Sequence, residues 1–226
     1  MGVAALIPAK MTSIRFPKKN VTRLCGHPLI YFSVRIAQLV PDIDDVWVSS
    51  ESAELLALAR DLGAQVVPRP AELSLPHVRN TEVMNHFYDS LEEKPEIVVL
   101  LQPTHPLRHP DEIASAVRTF RNSEADVMFS LVKTNELRGT IVDGRFIPEV
   151  ALPRTAPGPE TYRNCGSFYL LRPETSFLTE RPFGRTIAPY VMKYPEFEVD
   201  IDYEGDMQLA ECLLKNNRKR FGHFEI

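Results

Sequence analysis

The strongest constraint on the fold is an alternation. Short apolar runs, "VAALIPA" at 3–9, "DVWVSS" at 45–50, "AQVV" at 64–67, "EIVVLL" at 96–101 and "DVMFSLV" at 126–132, are separated by segments of helical character. A run such as "EIVVLL", with no polar alternation, suits a strand buried on both faces of a parallel sheet. Between the runs, "PLIYFSVRIAQLV" predicts a helix begun at Pro28, and "SAELLALARDLG" one capped by Ser52 and stopped by Gly63. Further helices are predicted over 81–91 and in "HPDEIASAVRTF" from 109. Strand and helix in turn are the pattern of a doubly wound, mostly parallel α/β sheet. Beyond residue 132 the pattern changes. "TIVDGRFI" reads as a β-hairpin about Asp143-Gly144, "GSFYLLR" and "PYVMKY" as strands, and "YEGDMQLAECLLKNN" as a closing amphipathic helix.

Length and composition narrow the function. The 226 residues, 44% hydrophobic and 25% charged, suit one large α/β domain, with no internal repeat or linker. A net charge of −4 argues against a nucleic-acid binder. Cys25, Cys165 and Cys212 lack zinc-site spacing and read as reduced thiols. The absence of a membrane-length run or a signal peptide makes a cytoplasmic location the expectation. His77, His86, His105 and His109 read as loop or surface histidines, Trp47 as core, and "KNNRKRFGHFEI" as a frayed, solvated tail.

Two loops follow apolar strands directly, where ligands bind in open α/β sheets. The first, "IPAKMTSIRFPKKN", carries Lys10, Arg15, Lys18 and Lys19 and no acid; the second, "QPTHPLR", carries Gln102, Thr104 and Arg108. Concentrated positive charge at a sheet end suits a polyphosphate, with a solvated surface loop as the alternative. There is no GxGxxG after the first strand and no GxxxxGK[ST], which removes the main support for a dinucleotide dehydrogenase or a P-loop NTPase. In "EFEVDIDYEGD", Asp200 and Asp202 are two apart at a predicted strand end, roughly 6 to 7 Å between Cα atoms. Paired carboxylates suit Mg²⁺; helix-capping acids are the other reading.

In order and spacing these segments resemble the N-acylneuraminate cytidylyltransferases. The opening pattern I-P-A-R-x-x-S-K-G-x-P-x-K-N is met by "IPAKMTSIRFPKKN", and "RPAEL", "LLQPTHPLR", "YRNCGSFYL" and "VDIDYEGDMQLAE" follow collinearly. The resemblance implies a nucleotide-diphospho-sugar transferase-like sheet that moves CMP from CTP to the anomeric hydroxyl of an acidic 2-keto sugar. It places Ala9, Lys10, Ser13, Lys19, Asn20 and Arg69 at the nucleotide, and Gln102, Thr104 and Arg163 at the sugar acid. By the same resemblance Asp200 and Asp202 would hold Mg²⁺, with Lys10, Arg15 and Lys19 joining them in catalysis, and residues 134–165 would be a dimerisation and sugar-covering insertion of a homodimer. The chain departs from the pattern at Lys10, Ile14, Arg15, "SLPHVRN" and Cys165, where the pattern has Arg, Lys-Gly, D-T-A-S-S and Asn. A ketodeoxyoctulosonate cytidylyltransferase and a non-catalytic nucleotide-sugar binding protein are the alternatives.

Overall fold

Strand β1 (Val3–Pro8) is near the middle of a seven-stranded sheet. The computed structural model describes residues 2–136, 139–148, 160–181 and 183–226. A two-stranded ribbon, β2 (Arg23–Leu24) and β3 (His27–Pro28), leads into α1 (Leu29–Leu39). Then come β4 (Asp45–Ser50), α2 (Ala53–Asp61), β5 (Gln65–Pro68), α3 (Asn80–Asp89), β6 (Ile97–Leu100), α4 (Pro110–Arg121) and β7 (Val127–Thr134). The ribbon β8 (Gly139–Val142) with β9 (Arg145–Pro148) precedes β10 (Thr161–Leu171), β11 (Ile187–Val191) and α5 (Glu204–Asn216).

Sheet order is β11-β7-β10-β6-β1-β4-β5. The chain builds outward from β1 through β4 to β5, then returns across α3 to place β6 on the other side of β1. The winding direction therefore reverses between β1 and β6, and their carboxyl ends flank a crevice. All pairings of this sheet but two are parallel; β10 runs antiparallel to β6 and β7, with its register broken between Asn164 and Tyr169. Gly166 lies in that irregularity at φ 74, where a Cβ would stand 3.1 Å from the His105 ring. A left-handed backbone under so close a neighbour favours glycine.

Alternate residues of the central strands face opposite sides of the sheet. Val3, Ala5, Ile7, Ile97 and Val99 pack under α1, α2, α4 and α5, whereas Ala4, Leu6, Val98 and Leu100 pack against Met84 and Phe87 of α3. That two-sided burial is why these runs lack polar alternation. Helix α2 begins and ends as expected: Leu55 N–H donates to Ser52 Oγ at 3.4 Å, and Gly63 takes φ 80 just past its end.

Some expectations change. Trp47 is only partly buried, edge-on to Phe87 at 6.0 Å. The terminal segment is not frayed, because it has large apolar side chains to bury: Phe221 and Phe224 enter the core, and Tyr31 Oη donates to Phe224 O at 2.8 Å. Of the insertion foreseen at 134–165, residues 137–138 and 149–159 lie outside the described residues. Cys25, Cys165 and Cys212 are free thiols. Among the described residues no helix is long and apolar enough to cross a membrane.

Candidate active site

The first loop is held from behind by backbone and buried polar groups. Ala9 N–H donates to Ser49 O at 3.0 Å, Met11 N–H to Glu51 Oε1 at 2.8 Å, and Asn20 Nδ2 to Lys10 O at 2.8 Å. Lys18 takes a left-handed conformation, φ 56, and starts a 3-10 turn over Lys19–Val21 that aims Lys19 inward. Lys19 is 7% exposed; its Nζ donates to Ile201 O and lies 3.4 Å from Asp202 Oδ1. Burial holds its ammonium below the usual lysine range, against the pull of Asp202 and Asp200.

Arg69 is buried, and its guanidinium makes four hydrogen bonds to protein. Nε donates to Ser74 Oγ at 3.0 Å, Nη1 to Ser49 O at 2.9 Å, and Nη2 to Ala9 O at 3.2 Å and Glu51 Oε2 at 3.3 Å. Ser74 Oγ donates to Glu51 Oε2 at 2.6 Å. Glu51 and Arg69 thus join the loop after β1 to the loop after β5, and the Ser74 and Met11 donors hold the carboxyl of Glu51 below its ordinary range against burial.

A cleft of about 340 Å³ opens above this network at the carboxyl ends of β1 and β6. One wall is Lys10, Ser13, Ile14, Arg15, Lys19 and Asn20; another is Arg69 with Leu73, Leu75, Pro76, Val78 and Val83; Pro8, Asn80, Gln102, Pro103, Thr104 and Asp202 complete it. Four cationic side chains line the space and one carboxylate. Hollows of about 420 and 530 Å³ lie elsewhere, one at the starts of β1 and β4, the other beside Asp126 and Arg181. Neither stands at the point where the winding reverses, so the smaller, strongly cationic cleft is the candidate.

The aspartates lie in irregular backbone between a 3-10 turn at Pro195–Phe197 and α5, not at a strand end, because β11 already ends at Val191. Ile201 between them is buried. The capping acid is Asp206, whose Oδ2 accepts from Asp202 N at 2.9 Å and Tyr203 N at 2.8 Å. Asp202 is thereby left to face the cleft, paired with Arg15 at 2.9 Å as well as Lys19. Asp200 stands beside the cleft, 3.8 Å from His105 Nδ1.

His105 is buried, not a surface residue as its sequence context suggests, because the irregular stretch of β10 closes over it. Its Nε2 lies 2.8 Å from Cys165 O and its Nδ1 3.0 Å from Thr104 Oγ1. Burial first, and Arg108 second, hold its pKa at about 3, so the ring is neutral at pH 7. A carbonyl can only accept, so Nε2 carries the proton, and Nδ1 accepts from the Thr104 hydroxyl. That leaves the oxygen lone pairs of Thr104, a cleft residue, for a ligand.

Nine residues singled out from the sequence line one space: Lys10, Ser13, Arg15, Lys19, Asn20, Arg69, Gln102, Thr104 and Asp202. Ala9 lies beneath, buried, with its carbonyl on Arg69. Arg163 is not among the lining residues; its fork is engaged by Glu198 and, at 3.4 Å, by Glu136. Glu51 went unforeseen, although an acid directly after the apolar run "DVWVSS" was a signal for it.

The donors at the cleft mouth are hard carboxylate oxygens, which fit Mg²⁺. Among the described residues no group of three or more His, Cys, Asp or Glu could hold a metal ion, so a cation on Asp202 and Asp200 needs water or ligand oxygens to complete its shell.

Comparison with known proteins bears on the same site. A cytidylyltransferase family model matches residues 4–221. N-acylneuraminate cytidylyltransferase B of Danio rerio is 36% identical over 234 residues, covering 98% of this chain and 52% of that protein. N-acylneuraminate cytidylyltransferase of Streptococcus agalactiae serotype III is 29% identical, covering 91% of this chain and 52% of that one. The chain spans about half the length of these curated relatives. In fold it is similar to a CMP:2-keto-3-deoxy-manno-octonic acid synthetase solved with CTP, at TM-score 0.75 and 15% identity over 96% of this chain and 99% of that one. With a family model spanning both the cationic first loop and the Asp200–Asp202 segment, the chain belongs to the cytidylyltransferase family.

Proposed function

We propose that the chain transfers CMP from CTP to the anomeric hydroxyl of a sialic-acid-like 2-keto sugar acid and releases pyrophosphate. The observation that carries this reading is the cleft's charge: Lys10, Arg15 and Lys19 against the one lining carboxylate, Asp202, with Arg69 paired to Glu51, at the reversal of the sheet, in a member of the cytidylyltransferase family. The names of the N-acylneuraminate relatives support the choice of sugar.

In the proposed reaction the acceptor hydroxyl attacks the α-phosphorus of CTP. The new oxygen–phosphorus bond forms as the bond to the β-phosphate oxygen breaks, and the hydroxyl proton goes to solvent. No covalent enzyme intermediate is needed, so the protein's work is positioning and charge stabilisation. Lys10, Lys19 and Arg15 face the triphosphate and oppose the charge that grows on the leaving pyrophosphate. The apolar wall of Leu75, Pro76 and Val78 takes the base, with Asn20 and Ser13 as hydrogen-bonding partners nearby. Gln102 and Thr104 orient the acceptor. Asp202 and Asp200 would hold Mg²⁺, which supplies Lewis-acid neutralisation of the phosphates.

We also take the molecule to be a homodimer. Ile187 and Val191 on the edge strand β11, with Ile141 and Ile147 on the β8–β9 ribbon, leave apolar surface exposed. Sedimentation at the monomer mass would overturn that.

Calorimetric titration with CTP, UTP, GTP and ATP in Mg²⁺ tests the nucleotide. The expected result is tightest binding of CTP. Preference for a purine nucleotide, or no binding of any, contradicts the reading.

A further inference from the structure

Arg108 is one of the largest fully buried side chains in the protein, 2% exposed, and the reaction just outlined gives it no part. It is reached from the second cationic loop and lies between three elements. Nε donates to Ser167 O of β10 at 2.5 Å, Nη1 to Ser33 Oγ of α1 at 2.9 Å, and Nη2 to Gln102 O at 2.6 Å. Every one of these partners is neutral. Among the described residues no carboxylate stands within ion-pair distance of it; Asp200 acts on it only from farther away. A guanidinium removed from water without an adjacent counter-charge is unfavourable, and proteins ordinarily pair such groups. Arg69, the other buried arginine of the site, has its carboxylate in Glu51. Burial lowers the pKa of Arg108 only to about 9, so it remains charged at pH 7.

Its place explains what it lacks. Arg108 is bonded to the carbonyl of Gln102, whose residue lines the cleft, and its charge reaches the neighbouring His105. A field source in such a dry setting acts over longer range than a solvated lysine. We propose that Arg108 is a positioning and field-setting residue for this site: its counter-charge is the bound anionic substrate, and its charge under the cleft floor selects ligands by phosphate charge. This rests on the nucleotide reading above. A purely structural role, holding Gln102, Ser33 and Ser167 together, would affect every ligand of the cleft alike.

The test is a charge series, with cytidine, CMP and CTP titrated calorimetrically into the wild-type protein and into Arg108→Met and Arg108→Lys. Circular dichroism confirms that each variant is folded. The expected result for Arg108→Met is a loss of affinity that grows with ligand charge: under about twofold for cytidine, and on the order of tenfold or more for CTP. Arg108→Lys, which keeps the charge without the fork, is expected to restore the CTP-to-cytidine ratio. Should Arg108→Met fail to fold, the lysine variant carries the test alone: a ratio close to that of the wild type supports the proposal, and a lost ratio overturns it. Equal weakening of all three ligands in a folded Arg108→Met also overturns it, yet leaves the nucleotide reading intact. If the wild type binds no member of the series, the nucleotide reading fails and the proposal with it.

Discussion

Lys19 Nζ and Asp202 Oδ1, 183 residues apart in sequence, lie 3.4 Å apart at the mouth of the cleft. The loop after β1 and the segment before α5 therefore meet in one ion-paired cluster, which Arg15 joins from the solvent side at 2.9 Å. The protein's own charges neutralise one another there, and the reading proposed above has phosphate and Mg²⁺ take over these contacts.

Asp202→Asn removes the carboxylate and leaves both cations without it. We expect Mg²⁺-dependent turnover to fall on the order of 10²- to 10³-fold. CTP binding in EDTA should be unchanged or tighter, because Lys19 and Arg15 then have no protein anion to release. Calorimetry with and without EDTA, beside a pyrophosphate-release assay, checks both halves; turnover that survives the substitution refutes the role.

Arg69 is a different kind of cation, since four hydrogen bonds from its guanidinium go to protein acceptors that tie two loops together. Breaking a buried charged pair by removing one partner is expected to destabilise by about 3–5 kcal/mol. Arg69→Met should lower the urea midpoint accordingly, with weakened nucleotide binding as a secondary effect. A midpoint within experimental error of wild type would show that this network does not organise the loops.

His105 gives the fold a defined acid sensitivity. Above pH 6.5 it is neutral whether folded or unfolded. Below that the unfolded chain takes a proton while the folded ring, at about 3, does not, so stability is lost as pH falls from about 6.5 towards about 3. The loss from this group between pH 7 and pH 5 is about 2 kcal/mol. His223, held at about 4 chiefly by burial, acts in the same direction. Urea titrations at pH 7, 6 and 5 should show the slope, and His105→Asn should reduce it; an unchanged slope in the variant would refute the assignment.

The C-terminal segment is structural. Phe224 is fully buried, edge-on to Phe32 at 4.9 Å, with its carbonyl on Tyr31. Phe224→Ala should destabilise by about 3–5 kcal/mol, read by chemical denaturation. A change under about 1 kcal/mol would mean the segment is only loosely docked.

The parts of this architecture legible in the sequence are those set by local period. "EIVVLL" is a two-faced buried strand because its neighbours on both sides are covered, and Ser52 and Gly63 bound α2 because caps act within one turn. Lys19 and Asp202 could be named as site residues from charge and resemblance, but their contact could not, since it depends on the path of the chain between β11 and α5. The burial of His105 and Arg108 was hidden for the same reason. Each is polar in a short loop, and only the return of β10 beside β6, with Gly166 in its irregular stretch, puts them in the interior. The resemblance places Arg163 at the sugar acid, and nothing in the sequence marks its tie to Glu198, 35 residues away.

The most direct test of the central claim is pyrophosphate release from CTP in Mg²⁺ with a panel of sialic-acid-like 2-keto sugar acids, run on the wild type and on Lys19→Met. Release is expected to require both CTP and one of the sugars, and to be lost in the Lys19 variant while its fold is retained. Absence of release with every sugar from folded wild-type protein, or undiminished release from Lys19→Met, would contradict it.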